Sequence, residues 1–369
     1  MTALAARRMG LRITTFEPGG EHCPAAPVSD HLVSGDWLDE AAIDAFCSHC
    51  DLATLEFENV PGHTAQAIAG RLPLRPAAAA LEVCQHRERE RGFLARHGFP
   101  QPRHAIVASA EEFAAAAAAL GRPCVLKTLA FGYDGKGQRV LREGENAQRV
   151  WREWGGGRGI VEAFIDFTCE LSVVCARCAG GRMATFPVPE NIHTGGILDL
   201  SIFPGRFSAE VARHAAALAG EITAALDVVG LLTVEMFLDH DHRLLVNELA
   251  PRPHNSGHAS IDACLTSQFE QHARAVCGWP LGDTALLSPC VMVNLLGNLW
   301  RDGEPDWSPV LANPRAKLHL YGKRDPAPGR KMGHFCVLAE SREQALAEAG
   351  ELSGRLLAER SAAEPRPLT

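Results

Sequence analysis

The stretch "LLTVEMFLDHDHRLLVNELAPRPHNSGH" (231–258) holds two glutamates that could share a metal ion. "DHDH" (239–242) reads as a turn between two apolar strands. With the turn centred on His240-Asp241, Glu235 faces Val246, and Glu248, two positions on, projects from the same face as Glu235. Diagonal neighbours on such a face lie about 7–8 Å apart. Two carboxylates at that spacing suit Mg²⁺, which prefers oxygen ligands and keeps phosphate and water in its shell. A solvated strand face is the plain alternative. It fits Glu235 poorly, because the run 231–238 is apolar and a buried carboxylate without a partner is costly. Arg252, His254, Asn255, Ser256 and His258 then crowd a short segment, a density of donors that suits a ligand loop.

A second chemical signal is "VLKTLAFGYDGKGQRVL" (125–141). Strand-like residues flank the glycines on both sides, so the segment reads as a hairpin. A Walker A loop would instead lead into a helix and end in Gly-Lys-Ser/Thr; here Lys136 is followed by Gly137-Gln138. Glycines let backbone N–H groups close over a polyanion. Lys127, on the preceding strand, could add a fixed positive charge. An ordinary glycine-rich hairpin is the competing reading.

These residues need elements to hold them. The first hundred residues alternate helix and strand: helix 2–9, strand 11–16, helix 38–47, strand 52–57 and helix 63–70, the rhythm of a parallel sheet. An arginine-rich helix follows (81–102), closed by Gly98 and Pro100, with a domain boundary expected near 100. Residues 101–168 read as a small α+β unit: strands at 104–107, 123–129, 138–142 and 159–164, helices at 110–120 and 145–153. Residues 169–314 carry longer strands at 169–178, 182–188, 231–238 and 243–248, with helices at 208–227 and 260–277. Residues 315–369 read as a small strand-and-helix cap.

Composition narrows the function. A formal charge of -8 and a pI near 6.1 give no basic footprint for nucleic acid. No stretch approaches the roughly 18–20 apolar residues of a membrane span, and no signal peptide is evident. A soluble cytoplasmic protein is the natural expectation. The pairs Cys47/Cys50 and Cys175/Cys178 lie too far apart for a zinc ribbon, and the 12 cysteines read as small apolar fillers in a reducing compartment.

An apolar lysine strand, a glycine hairpin, a hinge strand and a Glu…Asn-Glu hairpin, in this order, resemble the ATP-grasp superfamily. Within it the chain is similar to the N5-carboxyaminoimidazole ribonucleotide synthetase family, on "FGYDGKGQ" (131–138), "PENIHTGGIL" (189–198), "NELAPRPHNSGH" (247–258), "SQFEQHARAVCGWPL" (267–281) and "YGKRDPAPGRKMGH" (321–334). The resemblance implies an ATP-grasp fold of α/β and α+β parts, with a truncated Rossmann-like N-terminal domain (1–100), an ATP-grasp lid (101–168), a catalytic subdomain (169–314) and a C-terminal cap (315–369).

It also implies roles. Arg87, Lys127 and the loop Gly132, Tyr133, Asp134, Gly135, Lys136, Gly137 and Gln138 meet ATP phosphates. The hinge Glu162, Ala163, Phe164 and Ile165 receives adenine through backbone groups, with Glu170 near the ribose and His193 and Asn247 in the same nucleotide site. Glu235 and Glu248 hold Mg²⁺, for which Mn²⁺ could substitute. Tyr133, Asp134 and Lys136 close over 5-aminoimidazole ribonucleotide, and Arg252, His254, Asn255 and Ser256 help to build its site. Lys323, Arg330 and Lys331 meet its phosphate, with Lys127, Arg252, Lys323 and Arg330 as the catalytic set. The implied co-substrate is bicarbonate and the implied assembly a homodimer. A formate-dependent transformylase and a biotin carboxylase are disfavoured by "RPHNSGH" and "GRKMGH"; an inactive nucleotide-binding remnant is the non-enzyme alternative.

Three departures stand out. Lys136 replaces a frequent loop arginine, a point charge for a bidentate fork. His86 stands where an aspartate usually precedes Arg87. The strand and "GGGQLG"-like turn that open the family are absent before the helix at 2–9, so Met1 is expected to be an internal methionine of the fold.

Overall fold

The computed structural model describes residues 1–130 and 137–362. The expected roles of Gly132, Tyr133, Asp134, Gly135 and Lys136 fall outside the described residues.

In the N-terminal part, α1 (Thr2–Arg8) leads to β1 (Thr14–Phe16), which pairs in parallel with β2 (His31–Val33). The strand expected from residue 11 is shorter because its first amides are taken elsewhere. Leu11 N–H donates to Ala6 O and closes α1, and Ile13 N–H donates to the Asp30 carboxylate. α2 (Glu40–Ser48) starts at Asp39, whose side chain accepts from Ala41 N–H, and buries Ala42, Ile43 and Phe46. α3 (Gly62–Ala69) and α4 (Ala78–Cys84) follow.

The strand expected at 52–57 does not form. Ala53 bonds Pro73 O and Arg75 N–H, a single bridge to the Leu74 segment. The arginine-rich helix is also divided. α4 ends at Cys84, His86 bridges Ala130, and α5 runs Arg87–Arg96. In packing, α5 belongs with the large sheet, since Phe93 and Leu94 sit in its core beside Val234 and Val246.

The unit expected as a lid contains β3 (His104–Val107), α6 (Ala110–Leu120), β4 (Cys124–Thr128), β5 (Gln138–Leu141), α7 (Ala147–Trp154) and β6 (Gly159–Ala163). Its sheet order is β3-β6-β4-β5, antiparallel throughout. β4 and β5 form the expected hairpin, with Lys127 opposite Gln138. Ser109 and Asn146 cap α6 and α7, and both helices press on Leu126 and Val161 through Phe113 and Trp151.

The large sheet contains β7 (Phe167–Arg177), β8 (Met183–Thr185), β9 (Glu190–Thr194), β10 (Ile197–Phe203), β11 (Gly230–Asp239), β12 (Leu244–Ala250), β13 (Cys290–Leu296), β14 (Ala316–Leu320) and β15 (Lys331–Leu338). Its path is β12-β11-β7-β9-β10-β13-β15-β14, with β8 on β7. The strands of the expected C-terminal cap thus continue the large sheet. α8 (Ala209–Ala225) covers one face of the sheet at β7 and β11. The helix expected at 260–277 splits into α9 (Ser260–Ala263) and α10 (Gln268–Val276), because Ser267 caps α10 and Ser260 Oγ accepts Gln268 N–H. α11 (Ser308–Leu311) and α12 (Arg342–Ala362) are the remaining α-helices of the described residues. The cysteines of the described residues are unbridged, and among these residues no group of three His, Cys, Asp or Glu side chains is set to hold a metal.

Candidate functional site

The two glutamates meet more directly than their spacing implies. A β-bulge shifts the β11–β12 register between Glu235 and Met236: Met236 opposes Val246, while Glu235 opposes Glu248. Asn247 is the extra residue, so the diagonal placement across from Val246 is replaced by a facing pair. The carboxylates have different company. His254 Nε2 lies 3.0 Å from Glu235 Oε1, and Arg87 Nη2 lies 3.5 Å from Glu248 Oε2. Burial opposes the charge of Glu235, but the His254 hydrogen bond and charge outweigh it and hold the carboxyl low. Burial pushes Glu248 up; Arg87 opposes this, and the neighbouring Glu235 adds to it. Two half-buried carboxylates facing each other form an oxygen donor set that a hard divalent cation would relieve, so the residues fit Mg²⁺.

Lys127 reaches the same region from β4. Its Nζ lies 2.6 Å from Glu162 Oε2, and the other oxygen of Glu162 accepts from Arg91 Nε at 2.7 Å. Burial lowers the Lys127 pKa, with Glu162 opposing it; burial raises that of Glu162, but the two cations hold it far below the carboxylate range. Glu162 therefore stays ionised near neutrality, and its charge favours the ammonium form of Lys127. Glu162, expected as part of a backbone hinge, has this side-chain task as well. Beside it, Ala163 and Phe164 amides donate to Arg103 and Pro123 carbonyls, with Ile165 next in the chain. His193 Nδ1 lies 3.1 Å from Glu170 Oε1.

The second region is a cavity of about 1810 Å³ between the N-terminal part and the large sheet. Arg252, His254 and Asn255 line one wall; Lys323, Arg330 and Lys331 line another. Arg252 Nε donates to Glu58 Oε2 at 2.8 Å. Asn255 is 7% exposed, and neither polar atom of its side chain has a partner among the described residues. Ser256 lies beneath the wall: its Oγ is 2.8 Å from His254 Nδ1 and accepts from Ser172 Oγ at 2.7 Å. Asn191 and Ser201 extend that buried chain. Lys323 Nζ donates to Lys331 O, and Arg330 to Asp325 O, which shapes the loop carrying the three cations. His254 lines this cavity and also touches Glu235, so one side chain joins the two regions.

Glu58, Glu90 and Arg91 were not singled out from sequence. For Glu90 and Arg91 a signal existed: in "RERERGFL" they share the helix face of Phe93 and Leu94. Glu58 gives no such signal, since it lies in a turn and acts through a residue distant in sequence.

A lysine strand under a hairpin lid, set over a sheet bearing paired glutamates, defines an ATP-grasp ligase, and an ATP-grasp domain model matches residues 92–269. The chain belongs to the N5-carboxyaminoimidazole ribonucleotide synthase family. A ribonucleotide synthetase preATP-grasp domain model matches residues 1–85 and a phosphoribosylaminoimidazole carboxylase C-terminal domain model residues 290–348. The N5-carboxyaminoimidazole ribonucleotide synthase of Bacillus subtilis is 40% identical over 348 residues, covering 94% of this chain and 90% of that protein. A solved N5-carboxyaminoimidazole ribonucleotide synthetase in complex with ADP superposes with a TM-score of 0.90 at 38% identity, over 98% of this chain and 94% of that one. The Aspergillus clavatus synthase, solved with ADP and 5-aminoimidazole ribonucleotide, gives a TM-score of 0.88 at 26% identity, over 96% and 95% of the two chains.

Proposed function

We propose that this chain carboxylates 5-aminoimidazole ribonucleotide on its exocyclic amine, using ATP and bicarbonate and releasing ADP and phosphate, as a step of purine biosynthesis. The observation that carries this reading is the single wall shared by two chemically different regions. Glu235, opposite Glu248, meets His254, and His254 also lines a large cavity that bears Lys323, Arg330 and Lys331.

Bicarbonate is a poor electrophile. Attack of its oxygen on the γ-phosphorus of ATP expels ADP and makes carboxyphosphate. The amine then attacks the carboxyl carbon, phosphate leaves, and the nitrogen loses a proton. Lys127 and Arg87 stabilise the charge that spreads over the transferring phosphoryl oxygens. Glu162 fixes the Lys127 ammonium in place. Held by Glu235 and Glu248, Mg²⁺ would supply further charge neutralisation to the phosphates. Asn247 and His193, with Glu170, complete the nucleotide side, and the hinge at 162–165 takes the adenine.

On the other side, Lys323, Arg330 and Lys331 seat the ribonucleotide phosphate. Asn255 has hydrogen-bonding capacity to give to substrate, and Glu58 holds Arg252 toward the reacting groups. Carboxyphosphate hydrolyses readily, so water must be excluded while it exists. That task is assigned to the loop from Gly132 to Gln138, with Tyr133, Asp134 and Lys136 over the ribonucleotide. We place the protein in the cytoplasm as a homodimer. No described helix is long and apolar enough to cross a membrane.

The deciding experiment is ADP release by the purified chain with 5-aminoimidazole ribonucleotide and bicarbonate supplied together and singly. Release is expected to require both. Release that ignores the ribonucleotide overturns the reading.

A further inference from the structure

A buried charge cluster between α5 and the β11–β12 hairpin has no part in the roles given so far. Arg91 is fully buried and Glu90 is 1% exposed. Each would be costly there without close partners. The partners are specific. Arg91 Nη2 donates to Asn247 O at 2.7 Å, and Nη1 to Val246 O at 3.3 Å. Glu90 Oε1 accepts Leu249 N–H at 2.7 Å. Consecutive residues of one helix thus hold peptide groups on both sides of Glu248.

These are the peptide groups at the point where the ladder slips. A bulge takes its extra residue out of strand pairing, and buried backbone groups left unpaired are destabilising. β12 ends the path of its sheet, so its outer backbone groups have no neighbouring strand; Arg91 and Glu90 supply partners there, as Pro100 O does for Val246 N–H. Side chains alternate along a strand, so loss of the one-residue slip would turn Glu248 away from Glu235. Arg91 also holds Glu162, which holds Lys127. One guanidinium therefore joins the backbone beside a carboxylate of the pair to the phosphate-facing lysine.

We propose that Glu90 and Arg91 are positioning residues of the metal site: they hold the bulge at Asn247 and thereby set Glu248 opposite Glu235. The inference rests on the assignment of Glu235 and Glu248 to Mg²⁺, and the test separates the two.

The measurement is calorimetric titration of ADP into the full chain, with Mg²⁺ and with a chelator. The quantity read is the gain in ADP affinity that Mg²⁺ provides, and thermal melting checks the fold independently. Outer partners of metal ligands typically contribute about 10- to 100-fold in metal affinity, so Arg91→Met should cut the gain by about 10-fold. Arg91→Lys, which can keep Glu162 but cannot span both carbonyls, should fall between it and the parent. Glu90→Gln should lower the gain in the same direction. Should Arg91→Met not fold, Arg91→Lys and Glu90→Gln decide. Glu248→Gln is the benchmark: if it keeps the gain, the metal assignment itself fails. If Glu248→Gln loses the gain while folded Arg91 and Glu90 variants keep it within about twofold, the positioning role is overturned.

Discussion

His254 and Arg87 give the facing glutamates different neighbours, and that difference settles what each can do. Glu235 is held by a hydrogen bond from the ligand loop, whereas Glu248 has a more distant guanidinium and a carboxylate opposite it. Glu248→Gln keeps the shape of the side chain and removes the charge. Since even indirect partners of a metal contribute about 10- to 100-fold, loss of a direct ligand should lower ADP release by roughly 100-fold or more. The melting temperature should stay near that of the parent, because the substitution also removes the repulsion from Glu235. Near-normal turnover in the folded variant refutes the assignment. At this scale the sequence was informative about identities and less so about geometry. An apolar run around Glu235 announced a carboxylate with a purpose. The facing arrangement was not legible, because it depends on a bulge stabilised by Arg91, far away in the chain.

Elements place these residues, and the loop between β14 and β15 shows how tightly. Gly297, just beyond β13, donates its N–H to Arg330 O at 2.8 Å, and a Cβ at that position would overlap the Ala327 backbone. Gly297→Ala must therefore push the 325–330 turn outward, and with it the cations that face the cavity. A displacement near 1 Å can cost about 100-fold in a positioned reaction, so the KM for the ribonucleotide should rise by about 10- to 100-fold. The KM for ATP, whose proposed site lies at Lys127 and the glutamate pair, should be unchanged. An equal rise in both constants would show that the turn does not seat the ribonucleotide separately. Among the elements, those bounded by capping residues and glycines were legible: α6, α7, α8 and the β11–β12 hairpin form where their patterns place them. Others were decided by partners that periodicity does not encode. Residues 52–57 have strand-like composition, yet their backbone makes one bridge to the Leu74 segment. The break between α9 and α10 depends on Ser260 capturing an amide that a continuous helix would have used.

Across the whole molecule, the N-terminal part is fastened to the large sheet through α10. Arg8 pairs with Glu270, Arg75 Nη1 donates to Val276 O at 2.5 Å, and Thr54 Oγ1 lies 2.6 Å from His272 Nε2. His272 is fully buried at this junction, against Gly230 at the start of β11. Burial pushes its pKa down to about 4, and the charge of Glu56 opposes this only in part. An unfolded histidine takes its proton near pH 6.5. Between about 6.5 and 4 the unfolded chain therefore binds a proton that the native protein refuses. The contribution of His272 is fully present above this window and is lost as pH falls through it. From pH 7 to pH 5 the loss amounts to about 2 kcal/mol. The parent's total pH dependence is a sum: His258 and His334, whose pKa values burial also lowers, act in the same sense, while Glu90, which burial raises to about 7, acts in the opposite one. The difference between parent and variant isolates His272. In urea unfolding at the two pH values, His272→Asn should lose about 2 kcal/mol less stability on acidification than the parent does. Parallel losses would mean that His272 is protonated in the native state, and that the junction between the N-terminal part and the large sheet admits the charge.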